Sequence, residues 1–261
     1  MNRIEKVFQN LKESNEKAFV PYIMAGDGGL DTLAEKITFL ENAGATAIEI
    51  GIPFSDPVAD GPVIQQAGIR ALQSGTTLRE VLAKIREIRP IVHIPLIFMT
   101  YMNPIMAYGI GNFIADASKS GVDGLILPDL PAEEEGIIAT IAERAGIEIV
   151  RLVTLTSPLE RIQEIANKGK GFLYAVTVNG ITGARKGFNE ELGKHLQNVK
   201  NVSPIPVLAG FGISEPSHVE EMIQHCDGVI VGSKIIELFE SGKLDEIETL
   251  IAASKPESIK L

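Results

Sequence analysis

The chain has 261 residues and a net charge of −10, from 34 acidic and 24 basic side chains. With 45% hydrophobic and 22% charged residues it resembles an ordinary soluble globular protein, which excludes a disordered, collagen-like or coiled-coil chain. A negative field repels phosphate backbones and anionic lipid, so nucleic acid and membrane surfaces are disfavoured as partners.

The cysteine content and the N-terminal segment indicate the compartment. The one cysteine, Cys226, cannot form an internal disulfide, and CxxC metal sites are excluded. Residues 1–17 mix charges without an apolar centre, so we expect no secretory signal peptide. No apolar run approaches the ~18 residues of a membrane span. We therefore expect a cytoplasmic protein.

Eight short apolar runs alternate with amphipathic segments along the chain. The runs are rich in Ile, Val and Leu, as is typical of strands buried on both faces. They cover 18–26, 45–54, 94–101, 122–129, 148–155, 171–178, 205–212 and 227–233. Segments with helical periodicity lie between them, including 30–44, 62–73 and 78–89. Gly44, Gly121 and Gly146 each end a predicted helix, where glycine tolerates a left-handed turn.

Eight β units with helical crossovers predict an α/β fold, a single (β/α)8 TIM barrel that covers residues 1–261 as one domain. We also expect an extra N-terminal helix at 2–13 and a C-terminal helix at 243–254. The alternative is an open doubly wound sheet. The count of eight and the lack of a polar edge strand favour the barrel.

Glu49 stands in the middle of the second apolar run, where a charge without a partner is costly. Burial raises the pKa of a carboxyl group toward neutrality, which suits a general acid and base. The alternative is a buried ion pair with a Lys or Arg side chain. Arg151 is the one basic residue within the other runs, so the catalytic interpretation is favoured.

The loop 53–62 follows this run and carries Asp56 and Asp60 among three prolines, which restrict the backbone. Asp60 has two interpretations. It either faces the same cavity as Glu49, where two carboxyl groups in different surroundings divide acid and base work, or it is the N-cap of the next helix, since a Gly-Pro pair follows it.

Glycine turns end the seventh and eighth runs, at 209–214 and 230–234. Barrels often bind phosphate at this position through backbone N–H groups and a helix N-terminus, and Ser214 and Ser233 add hydroxyl donors. The alternative is two tight turns without a ligand. A dinucleotide fingerprint is rejected because the first turn lacks the third glycine of GxGxxG.

The stretch 177–191 combines three glycines with polar side chains. The glycines are Gly180, Gly183 and Gly187. This composition is typical of a lid that excludes water on closure, and equally of an ordinary flexible loop. Arg185 and Lys186 either steer an anion or are simply solvated.

Other chemistries find little support in the sequence. The four histidines fit no metal-ligand spacing. No lysine lies in the middle of a run, which disfavours a Schiff-base enzyme, and no Cys/His or Ser/His nucleophile pattern is present. The residues therefore indicate an acid/base barrel enzyme that acts on a small phosphate ester without a metal or cofactor.

The segment AIEIGIPFSDPVADGPVIQQA, at 47–67, resembles the signature of the tryptophan synthase alpha subunit family. The similarity spans the chain and includes FVPYIMAGD, FMTYMNP, LPDLP, GITGAR and GFGIS. It implies a (β/α)8 barrel that cleaves indole-3-glycerol phosphate to indole and glyceraldehyde 3-phosphate. It also implies a pyridoxal-phosphate-dependent beta subunit as partner in an αββα heterotetramer, with indole passing to that subunit through a tunnel.

The resemblance implies a role for individual residues. Glu49 corresponds to the acid/base that delivers a proton to indole C3, Asp60 to the carboxylate that accepts the indole N–H proton, and Tyr174 to an active-site tyrosine. Residues in substrate-binding positions are Tyr22, Met99, Tyr101, Leu127 and Phe211, with Thr182 as the lid residue. The residues in phosphate-binding positions are Gly183, Gly212, Gly232 and Ser233. Those facing the beta subunit are Pro53, Asp56, Pro57, Asn103 and Pro131.

Two departures from the family pattern concern loops. Val178 stands in the lid where many members have an arginine, and the first strand leads into GDGG rather than GDP. Neither departure changes Glu49 or Asp60. The alternative functions are a stand-alone indole-releasing lyase, another phosphosugar barrel enzyme, and a non-catalytic allosteric subunit.

Overall fold

A computed structural model describes residues 2–154, 156–176, 190–210 and 212–255. Eight parallel strands form a closed barrel in chain order, and the first strand pairs with the last. The predicted (β/α)8 barrel is therefore confirmed, and the open doubly wound sheet is wrong. The domain assignment of 1–261 stays a prediction.

Each strand lies within one of the eight predicted apolar runs. The strands are β1 (Ala18–Met24), β2 (Ile48–Gly51), β3 (Leu96–Met99), β4 (Gly124–Ile126), β5 (Glu148–Thr154), β6 (Leu173–Val176), β7 (Val207–Gly210) and β8 (Gly228–Val231). Their register places Tyr22 beside Glu49 and Leu152 beside Tyr174, so residues on neighbouring strands share layers of the barrel.

Helices surround the barrel in the described part of the chain. They are α1 (Arg3–Ser14), α2 (Leu33–Asn42), α3 (Pro62–Gln73), α4 (Leu78–Ile88), α5 (Met102–Tyr108), α6 (Ile110–Ser120), α7 (Ala139–Arg144), α8 (Leu159–Ala166), α9 (Glu190–Val202), α10 (Pro216–Met222), α11 (Ser233–Glu240) and α12 (Leu244–Ala252). The expected terminal helices correspond to α1 and α12. None of the helices that the structure describes has the length and apolar character that a membrane crossing needs.

Local sequence accounts for where several helices begin and end. Asn2 and Thr77 start α1 and α4 with capping boxes, in which a Glu three residues later returns a hydrogen bond to the cap. The glycines that we expected at helix ends have positive φ angles, 84° at Gly121 for example.

Alternating strand residues build two hydrophobic layers. One face of each strand packs against the helices, and the other fills the barrel interior. Ile4 and Phe8 of α1 belong to the interior cluster, and Ile4 lies against Gly124 and Gly171 near the N-terminal ends of β4 and β6. The first helix therefore closes this end of the barrel and leaves the C-terminal end open.

Candidate active site

The C-terminal ends of the strands surround a cavity of about 630 Å³. Predicted site residues that line it are Tyr22, Glu49, Asp60, Met99, Leu127, Tyr174 and Gly232. They come from four strands and from three loops that follow strands, and barrel closure brings them together. Aliphatic side chains such as Ile64, Ile126 and Ile230 complete an apolar wall.

Glu49 points into the barrel because its neighbours on β2, Ile48 and Ile50, pack outward against the helices. The side chain is only 4% exposed, and its Oε2 atom has no hydrogen-bond partner among the described residues. Burial raises the pKa of Glu49 to about 8, and the Asp60 carboxylate adds to the rise. The carboxyl group is therefore protonated at neutral pH.

The ion-pair alternative for Glu49 finds no support among the residues that the structure describes. Arg151 lies on the outward face of β5, between Val150 and Leu152 of the interior. Its guanidinium donates to the Glu135 carboxylate at 2.8 Å and lies 3.8 Å from Glu148. This arginine thus has acidic partners outside the barrel.

Asp60 reaches the cavity from the loop before α3. The N-cap of α3 is Gly61, and no side chain caps this helix, so the N-cap interpretation of Asp60 is wrong. The half-buried Asp60 carboxylate accepts a hydrogen bond from the Tyr101 hydroxyl. Burial raises the pKa of Asp60 to about 6, and the Tyr101 hydrogen bond opposes part of that rise.

Tyr101 lies behind Asp60 rather than on the cavity wall. Its side chain is 2% exposed and its ring packs on Phe54, with centroids 5.4 Å apart. The backbone N–H of Ala59 donates to the Tyr101 hydroxyl oxygen at 3.1 Å, while the hydroxyl donates to Asp60. Sequence similarity placed Tyr101 in the substrate pocket, whereas the structure gives it contact with the loop that carries Asp60.

Two tyrosine hydroxyls on the cavity wall remain protonated. Burial raises the pKa of Tyr22 and Tyr174 well above the usual range, and the carboxyl groups of Glu49 and Asp60 raise both further. Both hydroxyls are therefore hydrogen-bond donors at neutral pH. The Tyr22 hydroxyl donates to the Met24 sulfur at 4.0 Å, and thioether sulfur is a weak acceptor.

Glycines at two strand ends make room for these rings. A Cβ atom on Gly51 would lie 1.9 Å from the Tyr22 hydroxyl oxygen, and one on Gly210 would lie 2.4 Å from Cε2 of Tyr174. Neither glycine was among the predicted site residues. A glycine inside an apolar strand is a signal of close approach, and it was present at both positions.

The phosphate-binding prediction falls partly within the described residues. Gly232 lines the cavity and is the N-cap of α11, which begins at Ser233 and has no side-chain cap. Gly212 is exposed, with a φ angle of 33°. Ser214 is exposed too, and its hydroxyl lies 3.5 Å from the His218 ring.

Several predicted residues lie outside the described part of the chain. They are Phe211, Thr182, Gly183, Val178, Gly180, Arg185, Lys186 and Gly187. The predicted lid is thus described only from residue 190, where α9 begins.

The residues predicted to face a partner differ in exposure. Asp56, Asn103 and Pro131 are exposed, Pro57 is half-buried, and Pro53 is buried. Val58, in the same loop as Asp56, is 84% exposed and was not among the predicted residues. Within the described ranges, no three His, Cys, Asp or Glu side chains are grouped as a metal ion would require.

Comparison with known proteins identifies the family. The family model described as "Tryptophan synthase alpha chain" matches residues 8–258. The chain belongs to the tryptophan synthase alpha chain family. A tryptophan synthase alpha chain of Bacillus cereus is 54% identical over 255 residues, which are 98% of this chain and 97% of that protein.

Solved structures agree with this assignment. Tryptophan synthase subunit alpha of Legionella pneumophila superposes with a TM-score of 0.88 at 36% identity and covers 97% of each chain. A chain of Mycobacterium tuberculosis tryptophan synthase gives 0.88 at 32% identity and covers 98% of this chain and 99% of that one.

The family defines the reaction. Tryptophan synthase alpha chains are carbon–carbon lyases of tryptophan biosynthesis that cleave indole-3-glycerol phosphate, and this is the reaction of the chain. The comparisons favour none of the alternative functions. Members of the family pair with a beta subunit.

Proposed function

We propose that Glu49 and Asp60 divide the proton transfers of this cleavage, with Glu49 as the acid and Asp60 as the base. The observation that carries the proposal is that both side chains line one cavity in different surroundings, Glu49 buried and Asp60 half-buried beside the Tyr101 hydroxyl. With pKa values of about 8 and about 6, Glu49 keeps its proton at neutral pH and Asp60 has lost its own. Two carboxyl groups whose pKa values differ in this way can act as acid and as base in one step.

The first step changes the indole tautomer. Glu49 delivers its proton to C3 of the indole ring, and Asp60 accepts the proton from N1. The ring then has a tetrahedral C3 that still holds the glycerol phosphate chain. Tyr174, whose hydroxyl stays protonated, donates a hydrogen bond within the same cavity.

The second step breaks the carbon–carbon bond. Glu49, now a carboxylate, accepts the proton of the hydroxyl on the carbon attached to C3. That carbon becomes the aldehyde of glyceraldehyde 3-phosphate, and the bonding electrons return to the ring. Asp60 gives its proton back to N1, so indole leaves and both carboxyl groups regain their starting states.

The cavity binds the indole ring with apolar side chains and the phosphate with backbone N–H groups. Tyr22, Met99 and Leu127 form the wall for the indole ring, to which Phe211 and Thr182 also contribute. The phosphate binds at Gly232 and Ser233, where uncapped backbone N–H groups begin α11 and favour an anion, together with Gly212 and Gly183.

The chain works with a tryptophan synthase beta subunit in a cytoplasmic αββα heterotetramer. Indole passes through a tunnel to the beta subunit. The docking residues are Pro53, Asp56, Pro57, Asn103 and Pro131. The exposure of Asp56 and Asn103 and of the apolar Val58 and Met106 supports this role, since exposed apolar side chains grouped near polar ones are typical of an interface.

Indole release from indole-3-glycerol phosphate tests the assignment of the two carboxyl groups. We expect Glu49→Gln to lose nearly all turnover and Asp60→Asn to lose about 10²–10⁴-fold, because neither amide exchanges protons. Glu148→Gln is the matched control, since Glu148 is a half-buried glutamate of a strand but begins β5 at the closed end. Turnover close to wild type in either amide variant would refute the assignment.

A further inference from the structure

Asp129 caps a helix from a different loop. The residue follows β4, and its carboxylate oxygens accept the backbone N–H of Met102 at 3.1 and 3.0 Å. Met102 is the first residue of α5, and the N-cap residue Tyr101 supplies no side-chain cap. Free N–H groups at a helix start need an acceptor, and here a residue 27 positions along the chain supplies one.

The capped residue directly follows the tyrosine that holds Asp60. Tyr101 has extended backbone angles, φ −105° and ψ 160°, and its side chain leads to the Asp60 loop. A change in where α5 begins therefore moves the Tyr101 ring. The ring carries the hydroxyl that donates to the Asp60 carboxylate.

We propose that Asp129 is a positioning residue for the proton transfer at Asp60: it fixes the start of α5 and thereby keeps the Tyr101 hydroxyl on the Asp60 carboxylate. The proposal rests on the proposed function, in which Asp60 accepts the indole N–H proton. Asp129 also lines the cavity, but the action proposed for it is exerted through Tyr101.

The loop that carries Asp129 has anchors of its own. Glu133 pairs with Arg161, near the start of α8, and Glu135 pairs with Arg151 on β5. Removal of the Asp129 carboxylate therefore leaves the loop attached at two points. The exposed position of Asp129 also means that its substitution creates no cavity in the core.

The direction in which the pKa of Asp60 moves distinguishes loss of the Tyr101 hydrogen bond from the mere removal of the Asp129 charge. The groups that face Asp60 are Glu49 from β2, Tyr22 from β1, Tyr174 from β6 and Tyr101, and the Asp129 carboxylate lines the same cavity. Loss of the Tyr101 hydrogen bond raises the pKa of Asp60, since that bond favours the carboxylate. Removal of a nearby negative charge has the opposite effect on a carboxyl group and lowers its pKa.

The experiment measures kcat, KM and the pH dependence of indole release by the full chain, alone and with an added tryptophan synthase beta subunit. We expect Asp129→Ala to lower kcat about 10-fold to 100-fold, the scale of a group displaced by up to about 1 Å, with little change in KM. The acid limb of the pH profile of this variant moves to higher pH. Asp129→Asn keeps an oxygen that accepts the Met102 N–H, so it restores kcat and the acid limb to near wild type.

Two further variants make the result specific. Asp116→Ala removes a carboxylate that accepts from Tyr108 at 2.8 Å, at the other end of α5, and we expect it to lower stability without moving the acid limb. In a Tyr101→Phe background, Asp129→Ala is expected to add little, since the hydrogen bond is already lost.

The outcomes distinguish this inference from the proposed function. An Asp129→Ala variant that behaves like Asp116→Ala, or whose acid limb moves to lower pH, overturns the positioning role. The positioning role is also overturned if Asp129→Ala lowers kcat in the Tyr101→Phe background by the same factor as in the wild type. An Asp60→Asn variant with wild-type turnover instead overturns the proposed function, on which the inference depends.

Discussion

At the scale of single residues, Glu49 and Asp60 differ because their surroundings differ. Glu49 is almost completely buried without a described hydrogen-bond partner, whereas Asp60 is half-buried and accepts from Tyr101. Desolvation raises both pKa values, but the hydrogen bond favours the charged form of Asp60 alone. The same residue types in water would both be ionised at neutral pH.

The two pKa values predict a bell-shaped pH dependence of kcat/KM. Activity rises as Asp60 loses its proton near pH 6 and falls as Glu49 loses its proton near pH 8, because the base must be ionised and the acid protonated. Indole release measured from pH 5 to pH 10, in buffers of constant ionic strength, checks this. A rate that kept rising above pH 9 would contradict the acid role of Glu49.

At the scale of elements, the ends of strands decide where side chains of the cavity wall lie. The register of β1 and β2 places Tyr22 beside Glu49, and the glycine at the end of β2 leaves room for the tyrosine ring. A side chain at Gly51 would overlap the Tyr22 hydroxyl and ring carbon Cζ, at 1.9 and 2.5 Å. The strand end thus determines the position of a residue on the neighbouring strand.

Gly51→Ala is expected to displace Tyr22 and so impair catalysis. Overpacking of this kind costs about 1–3 kcal/mol of stability, and we expect kcat/KM to fall about 10-fold or more as the cavity wall shifts. Steady-state kinetics and thermal unfolding measure the two effects. Gly111→Ala is the matched control, because a Cβ at Gly111 in α6 meets nothing within 4 Å. Wild-type kinetics for Gly51→Ala would show that the Tyr22 position is unimportant.

At the scale of the whole molecule, the end of the barrel that α1 closes and the proposed active site lie opposite each other. Helix α1 closes the N-terminal end, where Phe8 packs on Phe172 with ring centroids 5.2 Å apart. The cavity with Glu49 and Asp60 opens at the C-terminal end. Substitutions in one end are therefore expected to leave the other unaffected.

Phe8→Ala tests this separation. Phe8 is 5% exposed, and its truncation is expected to lower the free energy of unfolding by about 3–5 kcal/mol through lost burial and the cavity left behind. Urea unfolding measures the loss, while kcat and KM below the transition remain at wild-type values. Gln9→Ala, on the exposed side of α1, is the control and stays within about 0.5 kcal/mol. A parallel loss of kcat would mean that the two ends are coupled.

The sequence by itself predicted the fold class and singled out Glu49 and Asp60 as candidate site residues. Eight apolar runs separated by helical periods favour a barrel over an open doubly wound sheet, because parallel strands need crossover helices and no run reads as a polar edge strand. Glu49 was recognisable because an acid is costly inside an apolar strand. These signals are local, and each can be read within a window of about 10–20 residues.

Only the tertiary structure decided between the two interpretations of Asp60 and gave Tyr101 and Asp129 their contacts. Ala59 and Tyr101 are 42 positions apart, and Met102 and Asp129 are 27 apart. The two glycines that make room for tyrosines act on neighbouring strands in the same way. Such contacts depend on strand register and barrel closure, which arise from long-range packing and hydrogen bonding, so no local pattern contains them.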